Sequence, residues 1–163
     1  MQPDLPALFA RLGISCERHA HAAVFTVEEA SALPLAMAGM PTKNLFLKDR
    51  KGRRHFLVVL RDTQRVDLRW LATALQADTL SFASAERLTR HLASTPGSVS
   101  LLDILCDSAG AVELVIDAAL WEADALQCHP YTNTATLVIA LDDVRRLLAA
   151  HDREARRVTF PAN

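Results

Sequence analysis

The chain has no apolar run approaching the roughly 20 residues that cross a membrane as a helix. Its opening stretch, MQPDLPALFARLG, has no basic region leading into a long apolar core, so it does not read as a secretory signal. Cysteine is scarce. Cys16, Cys106 and Cys128 are odd in number and form no C-x-x-C pair, which excludes a disulfide framework and a zinc ribbon. Each lies in an apolar stretch, where a free thiol behaves as a small buried hydrophobe. This usage points to a reducing compartment, and the cytoplasm is the expected location. An excess of either charge is also missing: 18 Lys+Arg stand against 19 Asp+Glu. No global positive field recruits nucleic acid, so an RNA partner must use a local patch and a small footprint. There is no Gly-Lys-Ser/Thr for a phosphate-binding loop, and Ser98 lacks the following glycine of a nucleophile elbow.

What is present is ordinary globular composition. Apolar residues make up 50% of the 163 positions and charged residues 23%, which excludes a disordered chain, a coiled coil and a collagen-like fibre. The length suits one domain with a sizeable core. Helical and strand patterns are interleaved, without repeats or a low-complexity linker. The expectation is therefore one mixed α/β domain spanning residues 1–163.

The local signals are specific. Leu5, Leu8, Phe9 and Leu12 share one helical face, and Gly13 stops that helix. Ile14 to His21 reads as a strand. Thr26 and Glu29 form a capping box for a helix from Val27 to about Ala38. Asn44–Lys48 and His55–Leu60 read as a hairpin around a charged turn with Gly52. Asp67 caps a helix from Leu68 to Leu75, and Ser84 caps another to Leu92. A break follows at Ser94–Ser100, and a turn at Asp107–Gly110. Val112–Ile116 and Ala135–Leu141 read as strands, and Asp117 caps a short helical turn to Glu122. Asp142 is placed as the cap of a last helix to about His151, with a final strand at Val158–Phe160.

Several side-chain groups could carry chemistry. His19 and His21 share a strand face near Cys16, but the fourth ligand and the usual zinc spacing are missing, so no metal is expected. Lys43, in Thr42-Lys43-Asn44, sits at the mouth of a strand, where an ammonium could grip a phosphate or a carbonyl; a solvated lysine is the plainer reading. In Thr95-Pro96-Gly97-Ser98-Val99-Ser100, Gly97 lets backbone approach a ligand and successive N–H groups could cradle an oxyanion. A plain turn is the alternative. Pro130 holds His129 extended, and Asn133 with two threonines supplies short polar arms that either orient a ligand or close a hairpin. A Ser98–His129–Asp103 triad can be written down, but sequence order lends it no support. The basic turn Arg50, Lys51, Arg53 and Arg54 either touches phosphate or is simply solvated. The later arginines, Arg145, Arg146, Arg153, Arg156 and Arg157, are interspersed with acids and read as solvated.

Taken together, VFTVEEA, TKNLFLKDRKGRRHFLVVL, VDLRWLATAL, LSFASAERL, TPGSVS and HPYTNTATLVI occur in one order. They resemble the stand-alone prolyl-tRNA editing proteins of the YbaK/ProX type, over about His19 to Phe160. The resemblance implies a single-domain α/β (mixed α+β) fold with a mixed, partly barrel-like sheet flanked by helices. It implies trans-editing hydrolysis of a mischarged aminoacyl-tRNA, most often alanine on proline tRNA, with no metal, no cofactor and no covalent intermediate. The lysine of the motif matches Lys43, the neighbouring asparagine Asn44, the glycine loop Gly97 and Ser98, the histidine of HP His129, and a family asparagine Asn133. Lys43, Gly97 and Ser98 are thus the expected catalytic residues. Asn44, Ser100, His129 and Asn133 are the expected substrate-binding ones. The expected partner is the acceptor end of tRNA, with a prolyl-tRNA synthetase as a further candidate, no membrane, and a monomer.

The chain departs from the family at two places. The loop continues Leu101-Leu102-Asp103-Ile104 where the family commonly has Pro-Phe-Gly-Leu, and His21-Ala22-Ala23 replaces His-Pro-Pro. The first change bears on pocket size and hence on the amino acid accepted. It leaves open a deacylase for serine, threonine or cysteine on tRNA, a hydrolase of another small acylated molecule, or a catalytically silent aminoacyl-tRNA-binding paralogue.

Overall fold

The computed structural model describes residues 1–26, 28–29 and 37–163. Most of the helix expected from Val27 to Ala38 therefore lies outside the described residues. Its start is visible: the Thr26 hydroxyl accepts the Glu29 N–H (3.1 Å), and the Glu29 carboxylate reaches back to the Phe25 N–H (2.8 Å).

Helix α1 (Leu5–Leu12) begins at Asp4, whose carboxylate accepts the Ala7 N–H, and ends where Gly13 turns left-handed at φ +68°. Strand β1 is Glu17–Ala20. Strands β2 (Thr42–Lys48) and β3 (His55–Arg61) form the expected hairpin, extended slightly at the open end. The Asp49 carboxylate closes the turn by accepting the Arg53 and Arg54 N–H groups at 2.8 and 3.2 Å. Helix α2 (Leu68–Ala74) is capped by Asp67, strand β4 (Ser81–Phe82) follows, and helix α3 (Ala85–Leu92) is capped by Ser84. A 3-10 helix then spans Leu101–Cys106, leading to β5 (Val112–Asp117), a short 3-10 turn (Leu120–Glu122) and β6 (Ala125–Cys128). Strand β7 (Ala135–Ala140), helix α4 (Leu141–Ala150) and β8 (Ala155–Val158) complete the order.

Two expectations are corrected here. Asp142 does not cap the last helix. The helix starts one residue earlier, at Leu141, with no side-chain cap, and Asp142 pairs instead with Arg145 at 2.9 Å. The final strand lies at Ala155–Val158 rather than Val158–Phe160, because residues 155–158 pair with Leu114–Asp117 while Phe160 is buried against α2.

The strands form two open sheets. One runs β4-β2-β3-β5-β8 and the other β1-β7-β6. The β3–β5 and β5–β8 pairs are parallel, and all other pairs of named strands are antiparallel. The architecture is thus mixed α+β, with no closed barrel among the described residues. A bridge between Met40 and Leu126, and a bond from the Thr42 hydroxyl to the Gln127 carbonyl (2.7 Å), join the sheets beside the start of β2.

Side-chain alternation divides the core across the larger sheet. Phe46, Leu57, Val59, Leu114 and Ile116 face α1, α3, α4, the first 3-10 helix and the inner residues of β6 and β7. Leu47, Phe56, Val58, Leu60 and Val115 face α2 and Phe160. Strand β3 is buried from His55 to Leu60, as its continuous run of β-formers requires of a central strand. The three cysteines are free. Burial raises the thiol pKa of Cys106 to about 11 and of Cys128 to about 12, so neither is a thiolate at neutral pH.

Candidate active site

The Thr95–Ser98 segment is a tight turn. The Ser98 N–H donates to the Thr95 carbonyl at 3.1 Å, and Gly97 has φ +87°. Proline second and a left-handed glycine third are what a type II turn demands. The bond uses the Ser98 N–H inside the turn. Among the described residues, no acceptor takes the N–H of Gly97 or of Val99, so these two remain able to meet an anionic oxygen. Glycine also leaves room for a neighbouring ring. A Cβ on residue 97 would lie 2.6 Å from Cδ1 of Phe25, whose ring rests on the turn while 65% exposed.

Phe25 belongs to a short segment that touches several of the groups singled out above. The Val24 N–H donates to the Asn133 carbonyl (3.2 Å), and the His21 N–H to the Thr134 carbonyl (2.9 Å). Glu28, three residues beyond Phe25, lies within electrostatic range of the Lys43 ammonium. Lys43 is half-buried at the open end of the hairpin, opposite Leu60. Burial lowers its pKa, while Asp62 and Glu28 pull it back up. No described carboxylate comes within 4.0 Å of the amine. It is a partly desolvated cation without an ion-pair partner among the described residues, which is what recognition of an anion needs.

Asn44 leaves β2 on the opposite face from Lys43, the face of Phe46. Its amide oxygen is buried and has no hydrogen-bond partner among the described residues. A buried amide oxygen without a donor is the kind of exception that calls for one from outside.

His129 is half-buried, and burial lowers its pKa below the usual imidazole range, against the opposing pull of the Ala135 carbonyl. Its Nδ1 meets that carbonyl at 3.2 Å. A carbonyl can only accept, so Nδ1 carries the proton and Nε2 of the neutral ring keeps its lone pair. This bond also excludes the Ser98–His129–Asp103 triad: the nitrogen a triad acid would hold is already on Ala135, and Asp103 binds Ser100. Asn133 is buried where β7 begins, with its carbonyl on Val24.

Ser100 is corrected. It is fully buried, its hydroxyl accepts the Leu102 N–H (3.4 Å) and its own N–H donates to Asp103 (2.8 Å). It starts the first 3-10 helix behind the turn and offers no surface to a substrate. Leu101 and Leu102 are likewise buried members of the core shared with α3.

The basic turn is less available than its sequence suggests. Arg50 pairs with Asp78 (3.0 Å), and Arg54 holds Glu113 through two nitrogens at 2.9 Å each. Lys51 and Arg53 have no ion pair among the described residues. The turn also lies at the far end of β2 from Lys43, about 17 Å along the strand to Lys48. Of the later arginines, Arg145, Arg146 and Arg153 pair with Asp142, Asp143 and Asp107.

The fold matches a crystal structure of a candidate trans-editing enzyme for prolyl-tRNA synthetase. The TM-score is 0.63 at 18% identity, covering 91% of this chain and 87% of that one, a likeness of fold alone. The model of the aminoacyl-tRNA editing domain matches residues 21–147, and the chain belongs to that family. It is 37% identical over 131 residues to the prolyl-tRNA editing protein ProX of Acetoanaerobium sticklandii, covering 80% of each chain. It is 36% identical over 150 residues to the prolyl-tRNA synthetase associated domain-containing protein 1 of Danio rerio, covering 91% of this chain and 81% of the relative.

Proposed function

We propose that the protein hydrolyses the ester bond of mischarged aminoacyl-tRNA, acting in trans, with alanine on proline tRNA as its principal substrate. One observation carries the reading. The segment from Val24 to Glu29 lays an aromatic ring on Gly97, brings Glu28 near Lys43, and is tied to Asn133. Three of the groups that the family motif marks, Gly97, Lys43 and Asn133, thereby border one stretch of chain, which supports the reading.

An aminoacyl ester is already activated, so its cleavage needs a placed water and a stabilised oxyanion rather than a strong nucleophile. Water adds to the carbonyl carbon and the carbonyl oxygen becomes negative. The C–O bond to the ribose then breaks, and the ribose oxygen leaves with a proton. The products are the free amino acid and uncharged tRNA. The Gly97 N–H is the donor suited to the oxyanion. Lys43 supplies a positive charge for the ester carbonyl or the terminal phosphate. His129 Nε2 accepts a hydrogen bond from the ribose hydroxyl or the substrate amine. Selection for alanine is steric. One methylene discriminates by about 1–3 kcal/mol, so proline must also be refused by its ring and secondary amine. The cytoplasm, where charged tRNA is made and used, is the proposed location.

The test is single-turnover deacylation of alanyl-, seryl-, cysteinyl- and prolyl-tRNA, with Lys43→Ala alongside. The alanyl ester should be hydrolysed fastest, and Lys43→Ala should slow it on the order of a hundredfold. Fastest hydrolysis of the prolyl ester would overturn the editing role, and a wild-type rate in the variant would remove Lys43 from it.

A further inference from the structure

Strand β2 is flanked on its outer edge by both sheets, and the two flanks do not meet. The Asp62 N–H donates to the Pro41 carbonyl (3.2 Å) and the Asp49 N–H to the Arg54 carbonyl (3.1 Å), both in the register of the β2–β3 pair. Main-chain groups alternate sides along a strand, so the odd-numbered residues of β2 face β3 and the even-numbered ones face away. Two bonds mark that second direction. The Gln127 N–H donates to the Met40 carbonyl (3.0 Å) beside β6, and the Ala83 N–H to the Phe46 carbonyl (3.0 Å) beside β4. The Thr42 hydroxyl donates to the Gln127 carbonyl, and β4 pairs only with Leu47 and Lys48. Asn44 falls between these flanks. Its N–H and C=O point out of the larger sheet, and among the described residues no main-chain group meets them there. The same residue carries the orphaned amide oxygen, so main chain and side chain both lack partners at this point. Strand β6 runs parallel to the start of β2, and His129 continues it towards the gap. An open edge of one residue is too short to take up a strand but matches a single amino acid.

We infer that the aminoacyl group of the substrate docks on the Asn44 main chain as a one-residue strand: the Asn44 carbonyl accepts the substrate's α-ammonium, and the Asn44 N–H donates to the ester carbonyl oxygen. This is the double exchange that directly opposed residues make in an antiparallel pair. An aminoacyl ester carries the matching donor and acceptor on one residue. The inference rests on the hydrolytic reading for the identity of the ligand, while the open edge stands without it. Main-chain recognition holds any amino acid by its amine and carbonyl, and leaves the choice of side chain to the walls of the site. It also bears on proline. The prolyl ring takes up one of the ammonium hydrogens and fixes the direction of the other two, so the exchange with Asn44 cannot adjust. Lys43, the next residue, turns its own main chain to Leu60 and leaves only its ammonium for the substrate.

The experiment has two readouts. The first uses 3′-alanylamido-3′-deoxyadenosine, which keeps the amine and the carbonyl but replaces the ester by an amide. Backbone amide shifts of the wild-type protein are followed by NMR as this probe is added, and again with the propionylamido compound, which lacks the amine. The Asn44 amide should shift and exchange its hydrogen more slowly when the alanyl probe is bound. The propionyl compound should bind about tenfold more weakly, as the loss of a charged hydrogen bond requires. An Asn44 amide that stays unmoved, or equal affinity for the two compounds, would overturn the inference, and neither result needs a variant to fold. The second readout is single-turnover hydrolysis of alanyl-tRNA of the proline type. Asn44→Pro removes the N–H at a position that makes no bond to β3, where a strand tolerates proline. Asn44→Ala removes the amide side chain and keeps the N–H. With the β3 amide shifts retained in both variants, the proline variant should be slower than the alanine variant by about tenfold or more. Equal rates would sink the inference. An Asn44 amide that responds to the alanyl probe in a protein that hydrolyses none of the charged tRNAs would leave the docking standing and refute the editing reaction instead.

Discussion

Gly97→Ala probes local strain and the proposed chemistry at once. The residue has φ +87°, and an added methyl would meet the Phe25 ring at 2.6 Å. A left-handed backbone costs an L-residue about 1–2 kcal/mol. Part of this is offset by the reduced freedom of the unfolded chain, worth about 0.4–1 kcal/mol. Because the Phe25 ring is largely exposed, it can swing aside, so the clash itself adds little. The expected loss is about 1 kcal/mol, a fall in Tm of about 2–4 °C for a chain of this size. Phe25→Ala combined with Gly97→Ala separates the contributions: the contact vanishes in the double variant while the backbone cost remains. If the Gly97 N–H serves the oxyanion, displacing the turn should also slow alanyl-tRNA hydrolysis on the order of a hundredfold. Calorimetry and single-turnover kinetics on the four proteins of the cycle read both effects. A Gly97→Ala protein with wild-type Tm and wild-type rate would refute the turn geometry and its catalytic assignment together.

Other outcomes are equally checkable. The native carboxyl of Asp103 sits at about 7 against an unfolded value of 3.8, so the folded state holds a proton that the unfolded state has released between those limits. Its contribution to stability is therefore full below about pH 4 and lost as pH rises through 7. The shift corresponds to an upper bound of about 4 kcal/mol by linkage, and Asp103→Asn should flatten that limb in urea melts at pH 5 and 8. Cys106 and Cys128 should resist a thiol reagent at pH 8 until the protein is unfolded, and rapid labelling of either would contradict their burial. Replacing Lys51 and Arg53 together should weaken tRNA binding and reduce its salt dependence if that turn touches phosphate. Replacing Arg54 should instead lower stability, through the loss of its bonds to Glu113 and to the Leu75 and Gln76 carbonyls.

The legible parts of the chain were those governed by local rules. Asp67 and Ser84 accept N–H groups at the helix starts expected of them, and residues 44–48 and the β-former run of 55–60 on either side of a charged turn mark the hairpin. Pro96-Gly97 announces its turn type through backbone preferences alone. The Leu101–Cys106 helix was missed because LLDILC has no periodicity to report: all six residues are buried, so no solvent face marks the pattern. Strand β6 was missed because its four residues are held by partners outside the local sequence, β7 and Met40. Ser100 reads from the sequence as part of a ligand loop because its burial comes from the core beneath it, which no local signal reports. The Phe25–Gly97 contact joins residues 72 positions apart, beyond the reach of any local signal.

The outer strands of the larger sheet give it a guarded rim. On one side the sheet ends in a two-residue strand, and on the other in a four-residue strand carrying Arg156 and Arg157. Short borders and cationic side chains offer little template for strand addition by a second molecule. Arg156 also folds back onto the Ala74 and Leu75 carbonyls, while Arg157 has no such bond among the described residues. Strand addition at these two borders is thus disfavoured, a guard that exchanging Arg157 for valine should weaken.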